Sequence, residues 1–525
     1  MRSPLVRMLV RTLAALIACA ACSLRAADLR VGMAADVTSM DPHFLNLAPN
    51  NNIAWHVFDA LTHVDNDARL IPGLATSWRA IDPTTWEFKL RPGVKFHDGS
   101  ALTADDVAFS IERSAHLPTG QFGSFTRRIA ATRIVDANTL HLKTAAPYAM
   151  LPYDLNSVFI VSKKAATGAT SADFDAGRAM LGSGPFRFLR FARGDRVELA
   201  RNDAYWGARD KALTAWDRVT FRIIPNDPAR LAALLAGDVD LIDNLPTADA
   251  AKLRSDARYE LVRKVSWRTL FFTLDQERDA PPFVTDKSGR PLGRNPFKDL
   301  RVRRAISMAI NRSAIAERVM EGLALPAANI VSPQVFGYAP ALKPEPYDPD
   351  GAKRLLAQAG YAEGFGLSLH APNNRYVNDE QIAQAVAQML ARIGVRTRVE
   401  TMPVAIYLGK ARRREFSFAM LGWGSFSGEL ALRTLLATPN ADKGTGTWNW
   451  GGYSNARGDA LLERALATAA DARREALARE AAMLMLGDLG VVPLHHQIAV
   501  WALRRGLAYP GRADEFTFAH QVLAK

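Results

Sequence analysis

Apolar and polar positions alternate in stretches of two distinct periods along this chain. Residues 84–97 set Trp86, Phe88 and Leu90 against Glu87, Lys89 and Arg91, a period of two that predicts a half-buried strand ended by Pro92-Gly93. Thr103 with Asp106 three residues on makes a capping-box pattern, and Val107 and Ile111 open an apolar helical face behind it. Residues 218–224 predict a strand, 228–236 a helix ended by Gly237, and 238–243 a second strand, which together form a βαβ unit with a right-handed crossover. A second such unit runs from Phe365–His370 through the helical stripe Ile382, Ala385, Val386, Met389, Leu390 and Ile393. Gly394 closes that helix and 395–401 returns as a parallel strand. Glu415 to Leu421 supplies a further strand, and Val302, Ala305, Ile306, Ala309 and Ile310 line one face of a helix between the two units.

Two separated α/β units joined by strands near 268–274 imply two lobes and a cleft. In open α/β sheets, ligands bind beyond the carboxyl ends of the strands. In the second lobe that position is the run from Gly422 to Glu429. A length of 525 residues agrees, because single cores stop growing near 250–300 residues.

The N-terminal segment reads as an export signal. Arg2, Arg7 and Arg11 precede an apolar stretch from Leu13 to Ala21, and Leu24-Arg25-Ala26 offers a cleavage site. The stretch is shorter than the ~20 residues a membrane-spanning helix needs. Both cysteines, Cys19 and Cys22, fall inside the N-terminal segment 1–26, so a chain cut after residue 26 carries no disulfide. Leu16-Ile17-Ala18-Cys19 also resembles a lipobox, which makes a lipid anchor at Cys19 the alternative to a soluble periplasmic protein. Loss of residues 1–26 removes four arginines and no acid, which lowers the net charge from +13 to +9. The remaining basic excess is scattered, with no stripe interleaved with aromatics, so no nucleic-acid partner is expected.

Catalytic signatures are missing. The sequence contains no phosphate loop, no GxGxxG opening a helix, no HExxH and no GxSxG. His495 and His496 are the single adjacent histidine pair. Neighbours on a strand face opposite sides and cannot easily share a metal, so no metal site and no cofactor are expected. His495 stays a candidate ligand contact.

The runs PGLATSW (72–78) and WEFKLRPGVKFHDGSALTADDVAFSIER (86–113) resemble the signature region of the peptide/nickel family of ABC-transporter solute-binding proteins. SMDPH (39–43), GSGPFRF (182–188), RNDAYW (201–206) and LAALLAGDVDLI (231–242) continue the likeness in the family's order. DLRVRRAISMAINRSAI (299–315), YDPDGAKRLLAQAGY (347–361) and PLHHQIAVWALRRGL (493–507) carry it to the end of the chain. The resemblance implies an α/β, two-lobed periplasmic-binding fold with a hinge and a small α/β domain inserted in the first lobe. On that pattern the signal is 1–26, lobe I comprises 27–57, 178–274 and 496–525, the inserted domain II is 58–177, and lobe III is 275–495.

It also implies a monomeric receptor without chemistry of its own, which binds short peptides and hands them to an inner-membrane permease. Glutathione-like peptides, nickel or haem complexes and oligosaccharides are the alternative cargoes. In dipeptide-binding relatives an acid after the Gly-Trp strand end takes the peptide ammonium, and the matching position here is Glu429. An arginine ahead of the lobe III helix takes the carboxylate, and Arg375 is similarly placed. Guanidinium suits that role because its planar fork binds a carboxylate bidentately. Trp423 is expected as a pocket wall. Ser183, Gly184, Met40 and Phe44 are carried by motif position, Gly184 as a point where the backbone could approach a peptide.

Overall fold

A computed structural model describes residues 27–118, 120–208 and 215–525; residues 1–26, read above as an export signal, and Cys19 with them lie outside. Strand β1 (Asp28–Met33) is followed by four strands of a separate antiparallel sheet: β2 (Ala75–Asp82), β3 (Thr85–Leu90), β4 (Ile129–Asp136) and β5 (Thr139–Thr144), in the order β2-β3-β5-β4. Helix α1 (Ala104–His116) starts on the Thr103/Asp106 capping box and buries Val107 and Ile111 in the core that holds Phe88, Leu140 and Leu142. The chain then returns to the sheet of β1 with β6 (Phe186–Ala192), β7 (Arg196–Arg201), β8 (Arg218–Ile223), helix α2 (Asp227–Ala236) and β9 (Leu241–Ile242). Asn226 caps α2 through the Ala229 amide, and Gly237, at φ +80°, lets the chain turn out of it.

Strand β9 has two residues where the alternation predicts six. The flanking Asp240 and Asp243 still bond the β1 backbone, at the Arg30 and Gly32 carbonyls, while their carboxylates reach Arg30 and the Ala34 amide, but only Leu241 and Ile242 pair as strand on both sides. Both β8 and β9 run parallel to β1, which lies between them.

The second half of the chain supplies β10 (Tyr259–Leu274), α3 (Leu300–Ala309), β11 (Phe365–Pro372), α4 (Asp379–Ala391), β12 (Val395–Met402) and β13 (Phe418–Gly424). Helices α5 (Gly428–Leu435) and α6 (Asp471–Gly487) and strand β14 (Val492–Arg504) follow. Strand β13 begins three residues later than its pattern suggests, because Arg414 at φ +57° and a Glu415-to-Lys410 backbone bond still belong to the turn.

One sheet of 12 strands carries the order β6-β7-β8-β1-β9-β14-β10-β13-β11 through both halves of the fold. β10 and β14 are long antiparallel strands that belong to both halves, and their register slips between Val265 and Thr269, where one half gives way to the other. Each half has its own core. One gathers Leu29, Val31, Val57, Phe221 and Trp501, the other Phe272, Ile306, Leu369, Val386 and Met420.

Five of the described histidines are buried: His43, His56, His370, His495 and His496. Burial lowers His43, His56 and His496 to about 4 and His495 to about 3. An unfolded chain protonates them near pH 6.5, so it takes up protons that the folded chain refuses. Stability is therefore full above pH 6.5 and falls as pH drops toward 4, each histidine contributing up to about 1.4 kcal/mol per pH unit. Urea midpoints measured across this window should decline steadily, and H495L should flatten the decline.

Candidate functional site

Strand β13 ends in Gly422-Trp423-Gly424 beside β10, with Trp423 opposite Thr269 and Gly424 opposite Arg268. The two glycines are places where rings press onto the strand. A Cβ on Gly422 would lie 2.6 Å from the Tyr376 ring, and one on Gly424 would lie 2.3 Å from the Trp267 indole. Tyr376 donates its hydroxyl to the Gly422 carbonyl at 3.2 Å. Trp423 packs its indole against Trp448 with centroids 5.1 Å apart, and its Nε1–H is buried without an acceptor.

The loop after β11 presents Arg375. Asp379, in the first turn of α4, accepts the Arg375 and Tyr376 amides at 2.9 and 3.0 Å, which fixes the loop. Asn378 at φ +56° bonds Thr247 Oγ1 at 3.0 Å and the Val319 carbonyl at 2.7 Å, and so pins the helix entry against the segment ahead of β10. The exposed Arg375 guanidinium lies over the Tyr376 ring at 5.3 Å and has no ion-pair partner among the described residues. Its pKa is lowered, first by the neighbouring positive charge of Arg268.

Arg268 itself is spent. It grips Glu515 bidentately at 3.1 and 2.7 Å, and Glu515 also accepts from Ser266 Oγ and Gln497 Nε2. Burial pushes the Glu515 carboxyl up, but Arg268 and these donors outweigh it and hold it below the usual carboxylate range. Of the two guanidiniums, Arg375 is the one without an ion-pair partner among the described residues, with Asp379 and Glu515 near enough to favour its charge.

Glu429 lies in the first turn of α5, which Ser427 caps through the Leu430 amide. It is wholly buried, and its Oε1 pairs with Arg474 Nε at 3.0 Å. Arg474 in turn reaches Asp471 at 2.7 Å and Tyr153 Oη at 3.3 Å, and lies over the Phe336 ring. Burial raises the Glu429 carboxyl and Arg474 pulls it down, with the net shift upward. Its charge is already matched, and only Oε2 lacks a partner. A cavity of about 230 Å³ borders Arg474 and Asp471, walled by Trp78, Trp86, Tyr153 and Phe336.

The remaining candidates lie elsewhere. Ser183 is buried and donates to Asp59 at 2.8 Å. Gly184 does permit a close backbone approach, to His56 and Val57 of its own chain: its amide binds the Val57 carbonyl at 3.0 Å and its carbonyl accepts from Asn202. Met40 is buried in the first core, and Phe44 is half-buried in the turn after it. His495 is fully buried opposite Leu270, with neither ring nitrogen bonded. The fold thus brings Arg375 and Trp423 together through Tyr376 and Gly422. Arg268, Glu515, Trp267, Tyr376 and Arg474 complete the surroundings and were not singled out by sequence. Arg268 and Trp267 follow each other in a strand of ordinary amphipathic appearance, and Glu515 carries no local signal.

Two lobes sharing a pair of long strands, with an unpaired cation and aromatic rings where they meet, define a two-lobed solute-binding protein. The profile of the bacterial extracellular solute-binding proteins, family 5, matches residues 69–438, and the chain belongs to that family. Its role is that of an extracytoplasmic solute receptor for ABC import. It is 29 % identical over 466 residues to the glutathione-binding protein GsiB of Pectobacterium atrosepticum, covering 87 % of this chain and 86 % of that protein. It is 28 % identical over 458 residues to heme-binding protein A of Haemophilus influenzae, covering 81 % and 79 %. Among solved structures it resembles the periplasmic binding protein DppA of Helicobacter pylori in complex with the peptide STSA, with TM-score 0.77, 24 % identity and coverage of 95 % and 98 %. No helix among the described residues is long and apolar enough to cross a membrane.

Proposed function

We propose that this receptor binds short peptides bearing a free carboxylate in the cleft between its lobes and delivers them unaltered to an inner-membrane permease. The observation that carries the reading is the unpaired guanidinium of Arg375 beside the Arg268–Glu515 pair. A desolvated carboxylate needs such a partner, because an unpaired buried ion costs several kcal/mol. Trp423 and Trp267 offer flat apolar walls that accept varied side chains. The peptide seen in DppA and the glutathione named for GsiB are both compatible cargoes, since each ends in carboxylate.

We assign the ammonium no partner on Glu429, whose charge Arg474 already matches. The protein acts as a monomer, exported by residues 1–26, with lobe I made of 27–57, 178–274 and 496–525, domain II of 58–177 and lobe III of 275–495. Incubation with a mixture of peptides, nickel–histidine, haem and oligosaccharides, followed by native mass spectrometry, tests this. Retention of intact peptide is expected; retention of sugar or of cleaved fragments would contradict it.

A further inference from the structure

The edge of the large sheet presents a basic face. Register places Arg187, Ala200 and Arg218 in one row across β6, β7 and β8. Arg190, Glu198 and Thr220 form the next outward row, and Ala192, Arg196 and Arg222 the third. The alternate rows, Phe188-Leu199-Val219 and Phe191-Val197-Phe221, turn into the core. The five arginines therefore share one side of three adjacent strands.

Their pairing is uneven. Arg196 is held by Asp195 at 2.8 Å and lies 3.9 Å from Glu198. Arg187 reaches only a backbone carbonyl, that of Arg201, at 3.3 Å. Arg187, Arg190, Arg218 and Arg222 have no ion-pair partner among the described residues, and Asp28, at the start of β1, is the other acid in the outermost row. Over β1 the same side is closed by α2, whose buried Arg230 lies where a Gly32 side chain would point. The open part is thus confined to β6–β8.

A β-bulge adds an apolar group to this face. The register of β6 and β7 slips between Phe188 and Arg190, and the extra residue, Leu189, is 46 % exposed among the arginines. Unpaired arginines around an exposed leucine on a broad sheet surface match a wide, negatively charged plane with an apolar interior. A linear acidic polymer would instead call for a groove.

We infer that β6–β8 form a docking face for anionic phospholipid bilayers, with Arg187, Arg190, Arg218 and Arg222 on the headgroups and Leu189 entering the interface. Attraction to an anionic leaflet is worth roughly fivefold in affinity per arginine near the surface and is screened by salt. Co-sedimentation of the mature chain with phosphatidylethanolamine vesicles, with and without phosphatidylglycerol, tests this. Binding is expected only with phosphatidylglycerol, should weaken as salt is added, and should drop on the order of several hundredfold when all four arginines become serine. A charge-matched control carries R254S, R318S, R457S and R473S on other exposed positions and should bind as the unaltered chain does. An L189W reporter should shift its emission to the blue on anionic vesicles alone. Absence of sedimentation, retention by the four-arginine variant, or equal losses in the control would overturn the proposal.

Discussion

Arg375→Ala is expected to weaken binding of a free-acid peptide by about two orders of magnitude, with the folded protein equally stable. Removing one side of a desolvated, hydrogen-bonded charge pair costs roughly 2–5 kcal/mol, and each ~1.4 kcal/mol is tenfold in affinity. The unliganded protein loses little, because the side chain is exposed and bonds no neighbouring carboxylate. Arg268 loses a like charge beside it, which if anything favours the fold. Arg375→Lys keeps the charge but not the planar fork, and should recover part of the affinity. Titration calorimetry alongside thermal unfolding measures both quantities. A variant that binds normally would remove Arg375 from the site, and one that fails to fold would show a structural role instead.

Glu429→Ala is expected to act in the opposite sense, through stability. The substitution leaves Arg474 buried among Phe336 and Tyr153 without its buried carboxylate, and breaking such a pair costs roughly 3–5 kcal/mol. Exposed Asp471 can offset part of that. The double variant E429L/R474M should regain much of the loss, since buried ion pairs are often replaced by apolar residues at little cost. Urea unfolding of the wild-type protein and the two variants gives the comparison, and peptide affinity should change little in any that fold. A large fall in affinity with unchanged unfolding would instead make Glu429 a ligand group.

The elements were legible where a period and a stop signal coincided. The capping box at Thr103, the stripe of α3, and the Gly237 and Gly394 turns all appear at or near their expected residues, because each is set by neighbours in sequence. Strand β9 was overread at its ends, where Asp240 and Asp243 still bond the β1 backbone but only Leu241 and Ile242 pair with strands on both sides.

The site was legible only in part for the same reason. Arg375 and the Gly-Trp-Gly strand end stand out locally, yet their surroundings are made by partners far apart in the chain. Arg268 and Glu515 are 247 residues apart, and Glu429 meets Arg474 45 residues later. No local pattern tells a free acid from one already neutralised by a distant arginine. That difference decides whether Glu429 faces solute or core.

The central claim, that an unpaired guanidinium reads the end of the solute, is tested most directly by calorimetry with one peptide in two forms, free acid and carboxamide. The wild-type protein should bind the acid about a hundredfold more tightly, and Arg375→Ala should bind the two alike. Equal affinity of the wild-type protein for acid and amide would contradict the account.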